Sequence, residues 1–281
     1  MRLGINTFLF ACPFHDQHTK LFPKFRRWGF ETVEFAIAAP DDMDWAHVKR
    51  QLDKSGLVAG SVAAAMGPGR DLRGNPRAQQ AGLAYVRELI DRMPALDCHT
   101  LIGPFYSEVG RAGAETPAAQ RTQRQLVVKH LKALARYAGD RGVTLCVEPL
   151  NRFETDFLNT CDQAIQLVHE VNHPAFKIML DTFHMNIEEK DSAQAIRRCG
   201  QLLGHFHASG SDRGTPGSDH TDWKGIAAAL KAINFQGDVV IESFTQDVKI
   251  IARAAAIWRR IEPTRDEIAE KGVLFLRRLL A

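Results

Sequence analysis

The sequence predicts one closed, parallel (β/α)8 barrel, and three observations carry that expectation. Short apolar, β-branched runs recur at 3–8, 32–37, 57–64, 99–105, 144–149, 176–181, 203–209 and 238–243. Longer amphipathic stretches separate them, as in 122–139, where Leu126, Leu131 and Leu134 alternate with Lys129, His130 and Tyr137. Strands alternating with helices imply a parallel sheet, and eight strands close it. No GxGxxG follows the first run, which argues against an open doubly wound sheet. At 281 residues, with no Pro/Ser-rich linker, the chain is expected to form a single barrel domain spanning 1–281.

The first strand starts almost at the first residue, with no charged leader and apolar segment ahead of it. Gly29, Gly56, Gly142 and Gly237 each fall just before a strand, where a helix C-terminus wants a residue tolerant of positive φ. Trp28 and Trp45 are expected to pack helices, and His15 and His18 to lie at the surface. The long irregular pieces 66–76, 104–118 and 208–222 all follow strands, the end at which such a barrel keeps its active-site loops. The Arg-rich stretch 249–278 also carries Glu262, Asp266, Glu267 and Glu270, and reads as a solvated helix face.

Composition narrows the function. A formal net charge of +3, with bases and acids interleaved, leaves no basic stripe for nucleic acid. Five scattered cysteines without a CxxC pair argue against a disulfide framework and for a reducing, cytoplasmic setting. No apolar run approaches the roughly 18 residues of a membrane span.

Four consecutive strands end in metal-competent side chains: Glu148, Asp181, His207 and Glu242. Each carboxylate follows apolar residues on a strand that is otherwise buried, where it needs a cation or hydrogen bonds. One such acid could cap a loop or pair with an arginine. Four on strands five to eight, all at the carboxyl end, indicate a metal centre. Three carboxylates and one imidazole suit a hard or borderline divalent ion, Mn²⁺ first, with Co²⁺ or Mg²⁺ as alternatives. Structural zinc would want more Cys or His.

The segments Val147–Glu154 (VEPLNRFE), Leu180–Glu189 (LDTFHMNIEE), Gly204–His207 (GHFH) and Ile241–Phe244 (IESF) resemble the ketose 3-epimerases of the D-tagatose/D-allulose type. These are members of the xylose-isomerase-like TIM-barrel superfamily of sugar isomerases and epimerases. The resemblance is strong over about 140–245 and weaker before it. It implies that Glu148, Asp181, His207 and Glu242 hold the metal. Glu148 and Glu242 would also act as the acid/base pair, exchanging the C3 proton of a free ketose through a cis-enediolate. Glu154, His184 and Arg213 would contact substrate hydroxyls. D-tagatose, D-fructose/D-allulose and L-ribulose are the implied substrates, and a homodimer or homotetramer the implied assembly. One departure is Gly210, where relatives commonly carry an acid beside the sugar.

Other interior positions read as packing. His205, in phase with His207, is expected to be a core residue or a hydrogen-bond partner of the site, and Cys146 to fill the core. Lys177 and Glu34 are expected to join an internal ion-pair network. Rival functions on the same site are aldose–ketose isomerisation, sugar dehydration, or an accessory barrel acting on a glycoside. A DNA-repair endonuclease would need further ligands and a basic face.

Overall fold

In the computed structural model, which describes residues 1–113 and 116–281, eight strands pair in chain order and the last closes on the first. Ala114 and Glu115, in the predicted loop 104–118, lie outside the described residues. The strands are β1 (Arg2–Asn6), β2 (Thr32–Ile37), β3 (Val58–Ala64), β4 (Thr100–Gly103), β5 (Thr144–Val147), β6 (Phe176–Asp181), β7 (Leu203–Ala208) and β8 (Asp238–Ile241). All pairs are parallel. The fold class expected from the sequence is therefore observed. The helices are α1 (Phe22–Trp28), α2 (Trp45–Ser55), α3 (Pro76–Arg92), α4 (Pro117–Gly139), α5 (Cys161–Val171), α6 (Thr182–Glu188), α7 (Ser192–Cys199), α8 (Trp223–Ala232), α9 (Lys249–Ala254) and α10 (Arg265–Leu280).

Local chemistry explains where the helices begin and end. Asp44, Asn75, Thr116, Thr160, Asp191, Asp222 and Thr264 each accept the backbone N–H three residues on. Such caps stabilise a helix start by about 1 kcal/mol each. Gly29 and Gly56 close α1 and α2 at φ 101° and 67°. Gly237 departs from the expectation, since the left-handed residue after α8 is Asn234, at φ 53°. Gly237 instead serves a close approach, because a Cβ there would lie 2.8 Å from the Gly204 carbonyl oxygen.

Strand alternation sorts the side chains. Ile5, Val33, Phe35, Val62, Leu101, Leu145, Ile178, Phe206 and Val239 point outward into one large core beneath the helices. The inward residues divide in two. Ala36, Ala63, Ile102, Cys146 and Met179 form a small apolar cluster. Asn6, Glu34, Ser61, His205 and His207 form a buried polar set on β1, β2, β3 and β7. The strand registers shift between Val33 and Glu34 and between Ile178 and Met179, just ahead of interior site residues. Lys177 does not join this set. It lies at the amino end of β6, half-buried, in a cavity with Gly204, Asn234 and Gly237, too far along the strand to reach the carboxylates at the other end.

Beyond β8 the chain makes its own small core of Phe244, Val248, Ile251, Ala252 and Ile257, packed on Phe8 and Cys12. The stretch 249–278 thus divides into α9 and α10. The α10 helix buries Ile268, Val273 and Leu276 and turns Lys271, Arg277 and Arg278 outward. Trp45 packs as expected, its Nε1–H donating to the Pro40 carbonyl at 2.8 Å. Trp28 is half-buried against Phe10 and Phe25.

Gly103 ends β4 at φ +124°, and a Cβ there would meet the Ala64 carbonyl oxygen at 2.9 Å. Its own carbonyl accepts the Glu148 N–H at 3.2 Å, so it helps set the start of the site. Gly110, at φ +92°, faces open space. Chemical denaturation should therefore show Gly103→Ala losing about 3 kcal/mol and Gly110→Ala only about 1 kcal/mol.

Candidate active site

The four sequence-predicted ligands come together at the carboxyl end of the barrel. Glu148 follows β5, Asp181 ends β6, His207 lies on β7, and Glu242 follows β8. One ligand atom from each falls within 4.8 Å of the other three, a grouping able to hold a metal ion. Their alternation along the strands points them inward, and short polar contacts set their rotamers. Asp181 caps α6 with Oδ1, which accepts the Phe183 N–H at 2.8 Å, and this leaves Oδ2 facing the centre. Glu148 has its own carbonyl bound by the Tyr106 hydroxyl at 2.9 Å.

His207 shows most clearly that the residues fit a cation. Its Nε2 lies 2.8 Å from Glu34 Oε1, and its Nδ1 is buried with no hydrogen-bond partner. That nitrogen stands 3.5 Å from Glu242 Oε2 and 3.8 Å from Asp181 Oδ2. A carboxylate on one imidazole nitrogen and no hydrogen-bond partner on the other is the arrangement metal-binding histidines use. A protein cation already borders the same oxygens. Arg213 Nη1 bridges Asp181 Oδ2 at 2.6 Å and Glu242 Oε2 at 2.9 Å. Its guanidinium lies between the Phe183 and Phe244 rings, 4.1 and 4.7 Å from their centroids. Arg213 adopts φ 66°, a left-handed conformation uncommon for a side chain of this size. Its Nε is buried without a partner.

His184 sits beside this arginine. Asn151 donates to its Nδ1 from both the backbone N–H and the side-chain amide, each at 3.0 Å. In the neutral ring the proton is then on Nε2, which lies 3.1 Å from Arg213 Nη2 and 3.7 Å from Glu148 Oε1. Asn151 also donates to Glu154 Oε1 at 2.8 Å, so Glu154 is tied to the site through one amide. Arg152 pairs with Glu188 instead.

The electrostatics follow from burial opposed by neighbours. Burial, then the nearby Glu242 charge, pushes the Glu148 carboxyl well above the usual range. Burial raises Glu154 in the same way. For Asp181 burial is outweighed by the Arg213 guanidinium, which holds the carboxyl low. Burial and the Arg213 charge lower His184 to about 3, so its imidazole stays neutral. Burial opposes charge on both Glu34 and His207. Their mutual attraction overrides it, holding Glu34 well below and His207 well above their ordinary values.

The structure therefore gathers all seven sequence-predicted residues, Glu148, Asp181, His207, Glu242, Glu154, His184 and Arg213, around one centre. His205 takes the supporting place expected of it, with Nε2 2.9 Å from Glu34 Oε2. Sequence reasoning assigned no role to Asn6, Ser61, Asn151 or Tyr106. Asn6 was discoverable, since it ends an apolar strand at an inward position. Tyr106 and Asn151 act from loops, which no periodicity marks. At Gly210 the loop is tight, as a Cβ would meet the Gly214 backbone at 3.1 Å.

A family profile described as Xylose isomerase-like TIM barrel matches residues 22–279. A probable ketose 3-epimerase of Synechocystis sp. is 32% identical over 278 residues, covering 99% of this chain and 96% of that protein. A D-psicose 3-epimerase of Agrobacterium fabrum is 32% identical over 280 residues, covering 95% and 96%. The crystal structure of D-allulose 3-epimerase from Methylomonas sp. in complex with D-allulose has a TM-score of 0.93 at 28% identity, covering 99% of this chain and 96% of that one. Matched along nearly its whole length by the profile and by relatives of this kind, the chain belongs to the xylose isomerase-like TIM-barrel family, and within it to the ketose 3-epimerases.

Proposed function

We propose that this protein inverts C3 of a free ketose, of the D-tagatose, D-fructose/D-allulose or L-ribulose kind, with a divalent ion held by Glu148, Asp181, His207 and Glu242. The observation that carries the reading is the convergence of those four ligand atoms within 4.8 Å, on residues matching the family's motifs. Mn²⁺ is the ion we favour, with Co²⁺ or Mg²⁺ as substitutes. Cytoplasmic placement, which rests on the scattered cysteines, and a homodimeric or homotetrameric assembly, which rests on resemblance, complete the reading. Among the described residues no helix is long and apolar enough to cross a membrane.

When bound, the ion supplies Lewis acidity to the sugar oxygens and so stabilises the negative charge that develops as the C3 proton leaves. The remaining tasks fall to side chains. Glu148 and Glu242 follow β5 and β8, with β6 and β7 between them, so that they can address opposite faces of the sugar. One removes the C3 proton and the other returns a proton from the opposite side, with roles exchanged for the reverse reaction. His184 Nε2 and Arg213 Nη2 lie 3.1 Å apart, and both carry N–H groups, so a sugar oxygen beside them would find two donors. The unpartnered Arg213 Nε–H adds a third donor. Glu154 offers an acceptor for a hydroxyl. Phe183 and Phe244 keep water from the guanidinium faces and strengthen its field.

Three measurements test this. Metal-loaded protein incubated in D₂O with a panel of free ketoses should place deuterium at C3, with the epimer appearing, and a chelated control should not. Label at C1 or C2 would move the chain to aldose–ketose isomerisation, and no exchange with any ketose would refute the proposal. Glu148→Gln and Glu242→Gln should each lower kcat by about 10³-fold while the folded CD spectrum is retained. Arg213→Lys keeps the charge but loses the planar fork, and steady-state kinetics should show kcat/KM falling about 10²-fold.

A further inference from the structure

We propose that Asn6 is a positioning residue that clamps Glu242 and ties it to the Glu34–His207 pair. This rests on the reading of Glu242 as both metal ligand and proton carrier. Asn6 is fully buried at the carboxyl end of β1. Its Oδ1 accepts the Phe8 N–H at 2.7 Å, and this contact fixes which way the amide faces. The Nδ2 group is thereby turned into the barrel. It donates to Glu34 Oε1 at 2.7 Å and to Glu242 Oε1 at 3.1 Å. Strand pairing makes the bridge unavoidable: Asn6 stands opposite Glu34 across β1–β2, and Ile5 opposite Ile241 across β1–β8.

The contact matters because a carboxylate turns about its last bond. Glu242 Oε2 faces His207 Nδ1 and Arg213 Nη1, at 3.5 and 2.9 Å. A donor on Oε1 keeps Oε2 turned toward that cluster. The other N–H of the same amide lands on the oxygen of Glu34 that also faces His207 Nε2, so one side chain sets two of the four proposed ligands. Glu34 is completed by the Ser61 hydroxyl at 2.6 Å and cannot swing away to release the clamp. The amide is neutral and has no proton to gain or lose at working pH, so it can separate two carboxylates without adding to their charge. Aspartate in its place would put a third carboxylate between them.

The test compares Asn6→Ala with Asn6→Ser. Serine keeps an oxygen able to accept the Phe8 N–H but has no donors long enough to bridge both carboxylates, so it separates capping from clamping. Calorimetric titration of the metal-free protein should show both variants binding Mn²⁺ about 10-fold more weakly than the parent. Both should lose kcat by about 10- to 100-fold, with KM changed less than about 3-fold. The distinctive readout is the ratio of C3 exchange to inversion in D₂O, measured from each epimer separately. The epimer whose proton Glu148 removes should exchange without inverting more often than in the parent, and the other epimer less often. A merely structural defect would scale both alike. Parental Mn²⁺ affinity and partition in Asn6→Ser would overturn the clamp and leave only a cap, and an equal loss from both epimers would overturn it too. Should the parent exchange C3 of no ketose, the proposed function fails and the Mn²⁺ titration alone decides: weaker binding in both variants upholds the clamp, unchanged binding refutes it.

Discussion

Four carboxylates at the carboxyl end of the barrel, Glu34, Glu148, Asp181 and Glu242, are almost without access to water. Charge in that environment is costly unless it is compensated, and the arrangement of the site follows from how it is compensated. Glu34 meets two imidazoles, an amide and a hydroxyl. Asp181 and Glu242 share one arginine. Glu148 has the neutral His184 imidazole 3.7 Å away in place of a cation, and burial holds its carboxyl above the usual range. Unequal compensation is what sets these otherwise similar carboxyls apart.

That arginine is held in an unfavourable backbone conformation, at about 1–2 kcal/mol for a left-handed side-chain residue. Two ion pairs and two aromatic faces hold it there. The turn around it is short, with the Arg213 N–H donating to the Gly210 carbonyl and its own carbonyl accepting the Phe244 N–H. A residue with a Cβ at 210 would press on the Gly214 backbone, so glycine there belongs to this particular path of the loop.

Much of this was legible in the sequence. The barrel was readable because its strands are short and apolar and alternate with helices, and Glu148, Asp181, His207 and Glu242 were readable because four consecutive strands end in metal-competent side chains. His184, Glu154 and Arg213 were legible only through the family motifs around them. Helix ends were legible where glycine or a capping side chain sits at the boundary. Gly237 misled, because a glycine needed for close packing looks the same in sequence as one needed for a left-handed turn. Lys177 misled for a related reason: strand phase says which way a side chain points, but not how deep in the barrel it lies. Ser61 shows the remaining gap, since its value depends on strands that meet only in three dimensions.

The Asn6–Glu242 contact joins residues 236 positions apart in the chain. One belongs to the first strand and the other follows the last. Such a pairing forms only once the ring of strands has shut, so a large loop-closure entropy is spent at the same step that completes the active centre. A partly made barrel therefore carries most of the chemistry's side chains and none of its competence, and activity emerges with the last strand rather than accumulating along the way.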